Sequence, residues 1–170
     1  MYLSKPKTIP ITNEMLASQG QRFGNYLIDM FAHNIISVIP MIIAFILSEF
    51  FGNYDLSFWL EDVNPFVDFL IGYIVVVIYY FTFESLTGRS LGKFATNTKV
   101  LMADGSEPTT HAVFIRSVSR LIPFEQFSFL SDKPKGWHDS IAKTVVVDIK
   151  KYNQALESYD AIDEIGKEQD

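Results

Sequence analysis

The sequence predicts an all-α membrane protein: two transmembrane helices, an interfacial or re-entrant helical pair, and a small two-stranded cytosolic ribbon. Three observations carry this. Two apolar runs, Phe23 to Leu47 and Phe66 to Phe83, approach or exceed the roughly 20 residues that a helix needs to cross hydrocarbon. No Lys or Arg lies between Arg22 and Arg89, although the chain holds 14 of them. Only two short segments, Thr98 to Met102 and Thr144 to Ile149, alternate or run as strands do.

Composition excludes several classes. A net charge of −6 speaks against nucleic acid as a partner. The chain has no cysteine, so disulfides, thiolate metal sites and thiol nucleophiles are all absent.

Residues 1–15 read as a cytoplasmic arm broken by Pro6 and Pro10. Thr12-Asn13-Glu14 is a capping signal for a short helix from Glu14 to Gln19, with a mobile arm as the alternative. The first span follows, about residues 22–47. At 3.6 residues per turn, Arg22, Asn25 or Tyr26, Asp29, His33 and Ser37 share a stripe. Ionisable groups at such depth are costly, so the stripe should face protein or water. Pro40 should kink the helix or free a carbonyl.

The linker Ser48 to Pro65 is acidic, with Glu49, Asp55, Glu61 and Asp62. Its aromatics suit an interface belt or a short surface helix. The second span covers about residues 66–84, with Asp68 at its outer edge and Glu84 at its inner edge; Gly72 is a candidate for close packing on the first span. Basic residues flank the spans on the side of the termini and avoid the linker. Both termini are therefore predicted cytoplasmic, in the cell membrane.

Gly88 to Lys93, GRSLGK, is not a phosphate-binding loop. It is one residue short between glycines, and Phe94 stands where Ser or Thr would hold Mg²⁺. It reads as a tight basic turn. The two strand segments should pair. Between them Thr109 or Thr110 caps a helix from His111 to Leu121, ended by Pro123, and Phe124 to Leu130 adds a second apolar patch. These form the interfacial or re-entrant pair. Residues 150–170 read as an acidic cytoplasmic tail.

Arg22, Asp29, the TGRSLGK stretch, the Ala103-Asp104-Gly105 turn and GWHDSIAKTVVV stand in an order that resembles the RDD family of small membrane proteins. The resemblance covers about residues 16–148 and sets a membrane domain at 16–149. It implies that Arg22, Asp29 and Asp139 are the family's signature arginine and two aspartates. It also implies a multi-pass membrane protein, with ligand transport as a proposed role.

Arg22, Asp29 and His33 form the candidate intramembrane polar site. In one reading Asp29 carries a proton, with His33 as a second titrating group. In the other, Arg22 or a basic residue of the cytosolic segment neutralises Asp29 in a structural pair. Asp139 has Arg116 and Arg120 as candidate partners, or caps a turn. No catalytic set is legible: His138-Asp139 lacks a nucleophile, and His33 should lie apart from His111 and His138. The chain is therefore expected to be no enzyme and to bind no metal or cofactor. Two function classes stay open: ion or small-ligand transport as a homo-oligomer, since two spans cannot enclose a path, and a non-transporting scaffold or regulatory subunit of a partner membrane protein. The lipid bilayer is the common partner.

Overall fold

In the computed structural model, which describes residues 8–125, 128 and 135–167 (163–167 by backbone alone), Ser18 opens the longest helix. Its Oγ accepts from the Gln21 amide at 3.2 Å, and Gln21 Oε1 accepts from the Ser18 amide at 2.9 Å. This reciprocal cap satisfies two helix-end donors and starts α1 (Gln19–Phe51). α1 runs on through Pro40 and stops at Gly52, whose φ of 63° suits a residue without Cβ. A short helix, α2 (Asp55–Asp62), follows. Asn64 then caps α3 (Pro65–Thr87), which has Pro at its first position. Both α1 and α3 are long and apolar enough to cross a membrane. Phe31, Ile35, Met41, Phe69, Ile74 and Ile78 lie exposed along them, a surface that suits hydrocarbon.

The remaining elements gather where α1 begins and α3 ends. They are α4 (Leu91–Ala95), β1 (Thr98–Met102), α5 (Thr110–Ser119), α6 (Trp137–Ile141), β2 (Thr144–Asp148) and α7 (Ile149–Lys167). β1 and β2 pair antiparallel, from Thr98 opposite Asp148 to Met102 opposite Thr144. An isolated ribbon of this size is marginal. Here both faces are covered. Ala17 packs with Val100 and Val146 on one face. Leu101, Val145 and Val147 pack with Ile11, Leu16 and Tyr152 on the other. The free edge of β2 is also used, because the Ala17 amide donates to the Val146 carbonyl at 2.9 Å.

Several expectations are corrected in detail. The helices outrun the predicted spans at both ends. The linker holds a true short helix, as the aromatic pattern allowed. The predicted helix from Glu14 to Gln19 is instead a single 3₁₀ turn, Asn13–Met15, in an otherwise irregular segment that buries Ile9, Met15 and Ala17. Gly72 does not bring the two long helices together, since a Cβ there would meet nothing within 4 Å. The close approach is at Gly92, where a Cβ would lie 2.8 Å from Asn25 Cα. α5 is present, yet the face it buries carries Arg116, Ser117 and Ser119 beside Ala112 and Val113. Phe114, Val118 and Ile122 are turned outward. The buried face is mixed because Arg116 has buried carboxylates to reach. Much of the second limb, Phe124 to Leu130, falls outside the described residues.

Gly92→Ala should therefore force α4 off α1 and cost about 1–3 kcal/mol or more in unfolding measured in detergent. Gly72→Ala should show no loss in the same assay.

Candidate functional site

The polar stripe of α1 enters a buried cluster built by α3, α4, α5 and α6. Asp29 is 1% exposed. Its Oδ1 accepts from Tyr79 Oη and from the Gly92 amide, both at 2.7 Å; its Oδ2 accepts from Ser90 Oγ at 2.6 Å. The hydroxyl orientations are determined by their other partners. Tyr79 Oη accepts from the Leu91 amide at 3.1 Å, and Ser90 Oγ accepts from Lys93 Nζ at 3.3 Å. Each hydroxyl hydrogen therefore points at Asp29, which is an acceptor at both oxygens. Ser90 is the cap of α4. The GRSLGK turn is thus the cradle of Asp29, built from a serine, a backbone amide and the tyrosine of α3.

Beside it, Asn25 closes the α1–α4 contact. Assigned by its surroundings, its amide nitrogen donates to the Gly92 carbonyl at 3.0 Å and its oxygen accepts from Thr98 Oγ1 at 3.1 Å.

Arg22 does not pair with Asp29. Its Nη1 donates to Asp139 Oδ2 at 2.6 Å. Asp139 Oδ1 accepts from Arg116, and Oδ2 also accepts from the Gly136 amide at 3.2 Å, so Asp139 anchors α6 as well. Arg116 is fully buried. It donates from Nε to Glu84 Oε2 at 3.0 Å and from Nη1 to Asp139 and Thr144 Oγ1. Glu84 Oε1 accepts from Lys93 Nζ at 2.9 Å and, more loosely, from Arg120 at 3.4 Å. Arg120 stacks over the Tyr80 ring at 3.7 Å. The result is a chain of alternating charge, Arg22, Asp139, Arg116, Glu84, Lys93, that links five helices. Of the two candidate partners for Asp139, Arg116 is the one that reaches it, while Arg120 goes to Glu84.

His138 donates from Nδ1 to Glu125. Its Nε2 sits 3.3 Å from Asp139 Oδ1, beyond the usual N–H···O range of about 2.7–3.2 Å. Burial, with Arg120 and Arg116 nearby, pushes His138 down to about 4. Burial alone would raise Glu125; the hydrogen bond from His138 and the positive charges around it bring it down to about 2. Burial would likewise raise Asp139, but the charge of His138, Arg116 and Arg22 holds it well below the usual carboxylate range. Lys93 is lowered by burial, against the pull of Glu84.

His33 lies away from this chain. Its ring meets Tyr79 and Tyr80 edge-on, at 4.4 and 5.1 Å between centroids. It lines a cleft of about 460 Å³ between α1 and α3, with Asn34, Ser37, Asp68, Tyr73 and, at the inner end, Arg120. The three residues of the candidate intramembrane site therefore part company: Arg22 in the charge chain, Asp29 in the α4 cradle, His33 in the cleft. No group of His, Asp and Glu able to hold a metal is found among the described residues.

Two long apolar helices joined under one end by a buried charge network suggest a small helical membrane protein. A family model described as the RDD family matches residues 16–143, and the chain belongs to that family. Comparison with curated proteins and with solved structures gave no match. Sequence reasoning noted Glu84 only as an edge residue and missed Tyr79, Ser90, Lys93 and Glu125 as partners. The available signal was one acidic residue closing an apolar run, which asks for a cation from elsewhere in the chain.

Arg116→Met leaves Glu84 and Asp139 each short of a buried cation, and unfolding in detergent should show a loss of about 3–5 kcal/mol. Arg116→Lys should recover only part of it, having no fork to bridge two carboxylates. Acid should also act through His138. Its value near 4 lies below the ordinary 6.5, so the unfolded chain binds more protons between the two. Stability should be full above pH ~6.5 and fall by about 3 kcal/mol towards pH ~4. Glu125, lowered to about 2, extends the loss below its ordinary 4.5. His138→Gln should flatten the upper part of that pH profile.

Proposed function

We propose that this protein moves an ion or small ligand across the cell membrane as a homo-oligomer, with the cleft between α1 and α3 as each subunit's share of the pathway. The two long helices are its spans, and both termini lie in the cytoplasm. The observation that carries the reading is the cleft itself: His33, Asn34, Ser37, Tyr73 and Asp68 line it along helices that are otherwise apolar on their outer faces. Polar groups at that depth need protein or water beside them. His33 Nε2 has no hydrogen-bond partner among the described residues.

Asp29 suits the task of a proton carrier less well. It is held by three hydrogen bonds in the α4 cradle and does not line the cleft. Arg22, Asp29 and Asp139 act in this reading as the lock that holds the pathway's inner end in shape.

A second reading is a non-transporting scaffold or regulatory subunit. It draws on a groove of about 1050 Å³ between α7 and the ribbon, rimmed by Arg89, Lys99 and Glu107 and floored by Leu101, Val147 and Leu156.

The chain should be reconstituted in vesicles under sodium, potassium and chloride gradients, with a pH-sensitive dye inside. Gly72→Leu, which fills the cleft without touching the charge network, should cut flux about tenfold or more, whereas Asp29→Asn, compared per folded and inserted protein, should keep near wild-type flux. Unchanged flux in Gly72→Leu overturns the cleft pathway. Mass and cross-linking in native lipid discs separate the two readings: a discrete homo-oligomer fits the first, a one-to-one assembly with another membrane protein the second.

A further inference from the structure

Beside the cleft, sharing Tyr26, Tyr80, Arg120 and Glu125 with it, lies a second, smaller cavity of about 40 Å³ within the charge network. A single water needs about 10–15 Å³, so the space holds a larger occupant or several waters. Arg22, Lys93 and Arg120 line it with Asp29, Glu125, His138 and Tyr80. Behind this lining each cation already has a carboxylate, Asp139 for Arg22 and Glu84 for Lys93 and Arg120. The carboxylates have their donors already: Asp29 takes Tyr79, Ser90 and Gly92, and Glu125 takes His138.

The guanidinium groups are the unfinished partners. Arg22 is 95% withdrawn from solvent, yet its Nε and Nη2 have no hydrogen-bond partner among the described residues, and neither does Nε of Arg120. Unpaired buried donors are costly, and more so when charged. A water oxygen accepts two hydrogen bonds and brings two hydrogens that need acceptors. A monatomic anion accepts from every side and brings none.

We propose that this cavity is a binding site for a small monovalent anion of chloride size, held by the free N–H groups of Arg22 and Arg120. The site stands apart from the transport reading, because occupancy is an equilibrium property of the folded chain and needs no flux. Its position fits a role in seating α5 against α1, because the two arginines come from those helices and otherwise reach each other only through carboxylates.

The test uses the full chain in lipid discs, in buffer where gluconate replaces chloride at constant ionic strength, with chloride alone as the probe. Chloride should raise the melting temperature saturably and broaden the chloride NMR line beyond that of empty discs. Arg120→Gln should weaken the apparent affinity by about tenfold or more, the loss of a charge-assisted hydrogen bond. Glu84 keeps Lys93 and Arg116 in that variant. Val146→Ile, which puts a methylene into the cavity and leaves every charge in place, should weaken it too. Equal melting temperature and line width in chloride and gluconate would mean that the cavity holds only water, and would overturn the proposal. Wild-type chloride binding in both variants would place the ion elsewhere and overturn it equally.

Discussion

Arg116 has a position no other residue in this chain could take over. It comes from α5, is buried completely, and joins Glu84 at the end of α3 to Asp139 at the start of α6. Asp139 in turn holds Arg22 at the first turns of α1. One guanidinium thereby ties together segments from 22 to 139. An arginine suits this better than a lysine, since its planar fork presents several donors in fixed directions at once. The ribbon follows from the same join: Arg116 reaches Thr144, and Thr98 is bonded to Asn25, so the polar face of the ribbon turns towards the cluster.

Burying so many charges is not an efficient way to gain stability. A well-packed apolar cluster of similar volume often does as well or better. Its effect here is on register. Two apolar helices in a hydrocarbon phase have little to tell them how far to slide or turn, because lipid is as apolar as their side chains. A misplaced charge chain would leave buried ions unpaired, at several kcal/mol each. The proposed spans are therefore aligned at their capped ends and left apart along the cleft, where Gly72 has nothing against it. Asp29 adds the second constraint. By drawing the Ser90 and Gly92 donors onto α1, it brings α4 so close that Gly92 has no room for a Cβ.

The two apolar runs, the polar linker between them, the two strand segments and the RDD signature were all legible in the sequence alone, because hydrophobic length and alternation act between near neighbours. Arg22 and Asp29 could be marked as needing partners, since an ion beside or within an apolar run must be satisfied somehow, while Asp139 was marked only through the family resemblance. Which ion satisfies which was decided only by the tertiary structure. Arg22 lies seven residues from Asp29, yet it pairs with Asp139 more than a hundred residues away, while Asp29 is met by neutral donors, two of them from a stretch that sequence reading took only for a tight basic turn. α5 turned Arg116 inward beside Ala112 and Val113 for the same reason. Charge pairing depends on where folded segments come to lie, and the sequence states no distances across that space; hydrophobicity and capping are local, and so could be read from the chain itself.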